Sequence, residues 1–188
     1  MSSDYEEIDT RIVIETRQHR IHQYDVYLTG LIGDPKDFIE LLHLLRTATQ
    51  HDEINIYINS QGGQLRTGAA ILHAIAGSQA KVTTIMDGSC ASMAGIIALA
   101  GDDIIAMPMC QWMGHGFSAG YYGKAHEVGS KLESDKAMFE TMARAYYANF
   151  LKKKEIDDLI KGKDIYFEYD EIKKRLERMI KEEAKCDA

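Results

Sequence analysis

The 188-residue sequence contains only three cysteines, two prolines and no long apolar run. Cys90, Cys110 and Cys186 are odd in number and never spaced as CxxC, which argues against a disulfide framework or a zinc site and favours a reducing compartment. The most apolar stretch, residues 94–100, is far too short to span a bilayer. We therefore expect neither a membrane anchor nor a metal site.

A basic face and a targeting segment are also lacking. The formal net charge is −7, whereas nucleic-acid-binding domains usually carry an excess of basic residues on one face. Residues 1–9 are acidic and polar, without the basic and apolar regions of a secretory signal. The expectation is a soluble cytoplasmic protein that binds neither nucleic acid nor membrane and uses no cofactor.

Linkers, repeats and low-complexity tracts are absent as well, so the sequence predicts one domain over residues 1–188. The hydrophobic fraction of 45% is ordinary for a folded protein. The predicted strands are 12–14, 25–29, 54–58, 82–86 and 104–107, and the predicted helices begin at Asp34-Pro35 or cover 68–76, 92–100 and 125–150. Strands that alternate with helices predict an α/β fold of parallel βαβ units.

The two ends and the long helix differ from this alternating middle. Residues 1–26 form an N-terminal segment, and residues 170–188 form a charged, helical C-terminal tail that follows an aromatic patch at Ile165-Tyr166-Phe167. The helix over 125–150 is hard to bury within one subunit, so we expect it to pack on another copy of the chain.

Two glycine-containing junctions follow predicted strands, where functional sites of parallel sheets gather. At the first, Gly62 and Gly63 allow the backbone and its N–H groups to come close to a ligand. At the second, Ser92 begins a helix whose free N–H groups favour an oxyanion. The N–H groups of Met93 and Gly63 could therefore serve an acyl-transfer reaction at Ser92.

Each junction also has a simpler interpretation. A serine at a helix start is most often an N-cap, and a Gly-Gly pair after a strand is usually a turn. Ser92 does not lie in a Gly-x-Ser-x-Gly elbow, because Cys90 and Ala94 occupy the glycine positions. Physical chemistry alone makes Ser92 a candidate nucleophile without identifying it.

Taken together, the two junctions resemble the ClpP family of serine peptidases. Residues 56–63 read IYINSQGG and residues 88–95 read GSCASMAG, where that family has an I-N-S-P-G-G motif and then a G-x-A-A-S-M motif that holds the nucleophile. Pro108, followed by Met113-Gly114-His115-Gly116, resembles the strand that carries the family's catalytic histidine. The resemblance covers most of the chain and implies a ClpP/crotonase-like superhelix of βαβ units with a protruding handle helix.

The resemblance implies a Ser-His-Asp triad in which Ser92 is the nucleophile and His115 the general base. Gly63 and Met93 match the donors of the oxyanion hole, and Asp164 is the best match for the aspartate. A chain with these roles would be an ATP-dependent type of serine endopeptidase that cleaves extended or unfolded polypeptides through an acyl-enzyme intermediate.

Two of these assignments have alternatives in the sequence. Asp157, Asp158 and Asp170 lie close to Asp164 and could complete the triad instead. His126, at the start of the long helix, is the alternative to the predicted general base.

The glycine-rich segment 114–123 matches the strand along which the family binds an extended peptide. Main-chain pairing of that kind tolerates many side chains. The substrate-binding residues implied are Gly62, Gly114, Gly116 and Phe117. The resemblance also implies a heptameric ring or stacked double ring of identical subunits that enclose a chamber, with the handle helix joining the rings.

The sequence departs from the family at several positions. Gln61 stands where the family has proline, and Gly162-Lys163 replaces an acidic–basic pair that bridges the rings. The family's C-terminal E-A-x-x-Y-G-L-I-D run is missing, and between Thr16 and Tyr27 there is too little chain for the helix that helps to form the ATPase-docking pocket. These differences argue against a conventional AAA+ unfoldase partner and fit a divergent, phage-encoded member.

Three other functions compete with this interpretation. Crotonase-type acyl-CoA enzymes use similar backbone oxyanion holes, but they do not need a Ser-His pair at these motifs. A catalytically inactive ring or scaffold subunit would keep the fold alone. A Ser-Lys peptidase is disfavoured because no lysine lies in the matching motifs.

Overall fold

The computed structural model describes residues 22–186, and the side chains of residues 22–182. The predicted strand 12–14 lies outside the described residues. The elements in chain order are β1 (Gln23–Ile32), α1 (Ile39–Thr47), β2 (Glu53–Gly63), α2 (Leu65–Ala76), β3 (Lys81–Ala91), α3 (Met93–Ile97), β4 (Asp103–Ala106), β5 (Gln111–Gly114), α4 (Ala125–Tyr147), α5 (Lys153–Ile160), β6 (Ile165–Glu168) and α6 (Tyr169–Cys186).

These elements build one central sheet with the strand order β1-β2-β3-β5-β6. Strands β1, β2 and β3 pair in parallel. On its other side, β3 pairs in parallel with two short strands: β4 along its first half and β5 along its last residues. The predicted α/β class, with a central sheet and one long helix, is therefore confirmed. The aromatic patch before the C-terminal helix forms β6, which pairs with β5 in the antiparallel direction.

The central strands form where β-branched residues recur at every second position. In β2 the side chains of Ile54, Ile56 and Ile58 are completely buried. Small residues on α2, such as Ala69 and Ala74, are buried in the same core, which lets the helix pack closely on the sheet. The side chains between these isoleucines are only half-buried, so the core lies on one face of this strand.

The helix boundaries differ from the predicted ones by more than one residue at four places. Helix α2 begins at Leu65 instead of residue 68. Asp34 accepts a hydrogen bond from the backbone N–H of Lys36, as a cap should, but the turn that follows is a 3-10 turn, Pro35–Phe38, before α1. Helix α3 ends at Ile97 instead of residue 100. Helix α4 ends at Tyr147 instead of residue 150, because the chain turns there and buries Phe150 completely.

The charged C-terminal residues form a packed helix and not a free tail. In α6 the apolar side chains Ile172 and Leu176 are buried in the core. Between them, the guanidinium of Arg175 donates to Glu155 and Glu171 at 2.8 Å and lies 3.9 Å from the centre of the Phe167 ring. Arg175, one of the charged residues of this segment, thus links α6 to α5 and β6. None of the helices in the described part of the chain is long and apolar enough to cross a bilayer.

Candidate active site

The carboxyl ends of β3 and β5 bring the serine and histidine junctions together. The two strands pair in parallel up to Ala91 and Met113, and the backbone N–H of Ser92 donates to the Met113 carbonyl oxygen at 2.8 Å. Ser92 and His115 are therefore the residues that follow two neighbouring strands at the same edge of the sheet, the edge where ligands bind in parallel α/β folds.

The backbone at Ser92 is strained. Its φ is +55° and its ψ is −123°, a region that costs a non-glycine residue about 1–3 kcal/mol. The side chain is half-buried and makes no capping hydrogen bond to helix α3. The simple N-cap interpretation therefore fails, because the hydroxyl satisfies none of the helix N–H groups that a cap would satisfy.

The Gly62-Gly63 turn contacts the serine junction directly. A Cβ on Gly62 would lie 2.5 Å from the Ala91 carbonyl oxygen and 2.7 Å from the Ser92 Cβ, and Gly62 has a φ of +89°. The same Cβ would lie 2.8 Å from the backbone nitrogen of Met93. A side chain at position 62 is thus excluded both by space and by backbone conformation, which is why this turn needs glycine.

Three polar side chains that the sequence analysis left without a role stabilise the glycine turn, and two of them also join it to the serine junction. The Ser60 hydroxyl accepts a hydrogen bond from the Gly62 N–H at 3.0 Å. The Asn59 side chain accepts one from the backbone N–H of Ser89 at 3.1 Å. Gln61, which replaces the proline of the resembling family, donates from its amide to the Ser89 hydroxyl at 3.1 Å. The sequence signal for these hydrogen bonds is the run of polar residues 59–61 before the glycines.

His115 is half-buried, and its Nδ1 lies 2.5 Å from the carbonyl oxygen of Gly116. A carbonyl oxygen can only accept, so the hydrogen of the neutral ring is on Nδ1. Nε2 then carries the lone pair, which is the tautomer that a general base facing a serine hydroxyl requires.

A cavity of about 380 Å³ lies against both junctions. Of the residues predicted for the site, Gly63, Ser92, Met93, His115, Gly116 and Phe117 line it. Gly62 and Gly114 do not: Gly62 is buried behind Ser92, and Gly114 is buried against Trp112 and Leu159. The sequence analysis did not anticipate the opposite wall, which includes Arg66, Tyr121, Lys131, Asp135 and Phe139.

Asp164 is exposed, and no hydrogen bond joins it to His115 among the described residues. It does lie immediately before β6, whose antiparallel register pairs Ile165 with Gly114. Of the alternatives, Asp157 binds Arg144 at 3.0 Å and Asp158 binds Lys154 at 2.9 Å.

The remaining alternatives also lie away from the cavity. Asp170 is exposed in the first turn of α6, and His126 is exposed at the start of α4, 3.9 Å from Glu127. Neither residue lines the cavity that contains Ser92.

Cys90 lies two residues before Ser92 but has the wrong environment for a nucleophile. Its side chain is completely buried, and its thiol donates to the Ile58 carbonyl oxygen at 3.4 Å. Burial raises the pKa of this thiol to about 12, so it stays protonated at neutral pH. The described residues include no group of three or more His, Cys, Asp or Glu side chains that could hold a metal ion.

Comparison with known proteins gives one consistent result. The family model described as Clp protease matches residues 15–175. Three curated relatives are each named "ATP-dependent Clp protease proteolytic subunit". The protein of Chlorella vulgaris is 34% identical over 57% of this chain and 55% of its own length. The protein of Deinococcus radiodurans is 28% identical over 72% of this chain and 73% of its own length. The protein of Pleurastrum terricola is 34% identical over 65% of this chain and 66% of its own length. The match thus spans only about half the length of the Chlorella relative. Because the family model covers most of the sequence, this chain belongs to the Clp protease family.

Proposed function

We propose that this chain is a serine endopeptidase with Ser92 as its nucleophile. One observation carries the proposal: Ser92 has a strained backbone and an uncapped hydroxyl, and it faces the same cavity as His115 and Gly63. Strain at a half-buried serine that stabilises nothing else in the fold is typical of a reactive residue.

The proposed reaction begins when the Ser92 hydroxyl attacks the carbonyl carbon of a peptide bond and His115 Nε2 takes its proton. The N–H groups of Met93 and Gly63 stabilise the resulting oxyanion. The protonated histidine then gives the proton to the leaving amine as the C–N bond breaks, which leaves an acyl ester on Ser92. A water molecule, deprotonated by His115, hydrolyses the ester and restores the serine.

The register of β5 and β6 supports Asp164 as the third member. The strands pair Gly114 with Ile165, and extending the same antiparallel register by one residue would put Asp164 opposite His115. Directly opposed residues have their Cβ atoms about 4.5–5.5 Å apart, within reach of a side-chain hydrogen bond. The carboxylate would replace the Gly116 carbonyl as the acceptor for Nδ1–H and add stabilisation of the imidazolium.

The proposed substrates are extended polypeptides bound along the glycine-rich segment. Residues 117–123 belong to no helix or strand and form no backbone–backbone hydrogen bond within the described chain. Their N–H and C=O groups are therefore open to pairing with a substrate main chain, with Gly116 and Phe117 lining the cavity next to Ser92.

Labelling with a fluorophosphonate tests the proposed nucleophile, because this reagent reacts only with an activated serine. We expect stoichiometric labelling of Ser92, located by peptide mass spectrometry, and a rate at least about 10³-fold lower in His115→Ala. The matched control is His126→Ala, which should label at the wild-type rate. Absence of labelling in the wild type would indicate a scaffold subunit, and labelling that is indifferent to His115→Ala would contradict the triad.

We further propose that the chain assembles into a ring, heptameric or as a stacked double ring. Residues 125–134 of α4 include no buried side chain. An apolar groove between α2 and α4 is lined by Leu72, Met138, Met142 and Tyr146, among others. Met138 and Tyr146 are only half-buried in the single chain, so a second copy packed on this face would cover them further.

Native mass spectrometry measures the assembly directly. We expect a mass that is a multiple of seven subunits, and we expect Met138→Glu, which places a charge in the groove, to shift it toward smaller species. Lys173→Gln, at an exposed position of α6 outside the groove, is the control. A wild-type protein that is a folded monomer at micromolar concentration would contradict the ring.

A further inference from the structure

The wall of the cavity opposite Ser92 contains a buried carboxylate held from two directions. Asp135, on α4, is only 7% exposed. One of its oxygens accepts a hydrogen bond from the Arg66 guanidinium of α2, and the other accepts one from the Tyr121 hydroxyl of the glycine-rich segment, each at 2.7 Å. Three elements that are far apart in the sequence are joined through this one side chain.

Both oxygens of Asp135 need these partners, because a buried carboxylate is costly unless it is paired and hydrogen-bonded. The hydrogen bond from Tyr121, together with the nearby Arg66 charge, holds the pKa of Asp135 below its ordinary value. The carboxylate is therefore ionised at neutral pH and can only accept, so the Tyr121 hydroxyl must point toward it. Hydrogen bonds to a charged acceptor are stronger than those between neutral groups.

A second contact holds the same segment to the same face of α4. The Phe117 ring lies 6.1 Å from the Phe139 ring, centre to centre, and Phe139 follows Asp135 by one helical turn. The Lys131 ammonium lies 5.8 Å from the centre of the Tyr121 ring. Helix α4 thus fixes the glycine-rich segment at residues 117 and 121, while the residues between them, 118–120, are exposed.

We propose that Asp135 is a positioning residue for substrate binding: through Tyr121 it holds residues 116–121 as the wall of the cavity against which the substrate main chain lies. The inference deepens the proposed peptidase function and rests on it. It assigns Asp135 and Tyr121 to binding of the polypeptide and not to the chemistry at Ser92, since neither makes a hydrogen bond to Ser92 or His115 among the described residues.

The decisive variant is Tyr121→Phe, which removes one hydroxyl and keeps the ring. For hydrolysis of a fluorogenic peptide of eight or more residues we expect KM to rise about tenfold, with kcat changed less than about threefold. Labelling of Ser92 by a small fluorophosphonate, which does not reach the segment, should keep the wild-type rate. Tyr27→Phe is the matched control, because Tyr27 is an exposed tyrosine of β1 that does not line the cavity.

A second variant, Asp135→Asn, removes the negative charge at nearly constant shape, and it should raise KM as Tyr121→Phe does. If it fails to fold, as judged by its thermal unfolding, the gentler Tyr121→Phe still decides. An unchanged KM in Tyr121→Phe would overturn the inference, and so would labelling that slows as much as peptide hydrolysis, since the residue would then act on the catalytic centre. Failure of the proposed function itself is separate, because it would show as an unlabelled wild type.

Discussion

Replacing Ser92 by alanine is expected to lower kcat for peptide hydrolysis at least about 10⁴-fold, because the proposed acyl ester forms on its hydroxyl. Ser118 also lines the cavity, but it is exposed in an irregular segment and does not follow a strand. The structure adds a second expectation. Since the hydroxyl caps no helix N–H, its removal should change the free energy of unfolding by no more than about 0.5 kcal/mol. A true N-cap serine would instead cost about 0.5–2 kcal/mol.

Steady-state hydrolysis of a fluorogenic peptide and urea unfolding of the same preparations measure both quantities. Ser89→Ala is the matched control, since Ser89 lies in the same junction and accepts a hydrogen bond from Gln61. It should keep its activity within a few-fold of the wild type. Activity retained in Ser92→Ala would contradict the nucleophile assignment. A loss of about 1–2 kcal/mol in the free energy of unfolding would indicate instead that Ser92 is an N-cap.

Replacing Asp164 by asparagine is expected to lower kcat by about 10²- to 10⁴-fold, with little change in KM. A neutral amide cannot stabilise the imidazolium that forms when His115 takes the serine proton, and it can hold the ring in the wrong tautomer. Because Asp164 is exposed and makes no ion pair among the described residues, the variant should fold normally.

Peptide hydrolysis at pH 7 to 8 checks this expectation, with Asp37→Asn as the control for an exposed aspartate away from the cavity. Asp157→Asn, Asp158→Asn and Asp170→Asn test the other candidates; the first two carboxylates bind Arg144 and Lys154. If one of these variants loses activity while Asp164→Asn keeps it, the triad aspartate is misassigned. If all four stay active, His115 works with the Gly116 carbonyl alone.

Much of the fold could be predicted because local pattern and tertiary environment agree. The Ile54, Ile56 and Ile58 alternation is a strand in the sequence and in the structure, and its side chains are completely buried. The end of α4 was predicted wrongly, because the chain turns after Tyr147 and buries Phe150. The C-terminal segment is helical as predicted, and the tertiary structure adds the pairing of its Arg175 with two glutamates.

In the candidate site, too, some features could be predicted from the sequence and others could not. Gly63, Ser92, Met93 and His115 were predicted together and line one cavity, because each lies at or just after the carboxyl end of a strand and parallel strands end at one edge. Gly114 was predicted to bind substrate but is buried against the Trp112 ring, since it is the last residue of a strand and its neighbour is the one that reaches the cavity.

By itself, the sequence determined the α/β alternation and the residue types that the two junctions need: a glycine at position 62, where a Cβ would strike the next strand, and a serine ahead of a small-residue helix. Only the tertiary structure decided that the Ser92 hydroxyl caps no helix N–H, that β6 pairs with β5 in the antiparallel direction, and that the buried Asp135 accepts a hydrogen bond from Tyr121. The reason is physical. Backbone preferences act over a few residues, whereas burial, register and the pairing of charges depend on segments that meet only after the chain has folded.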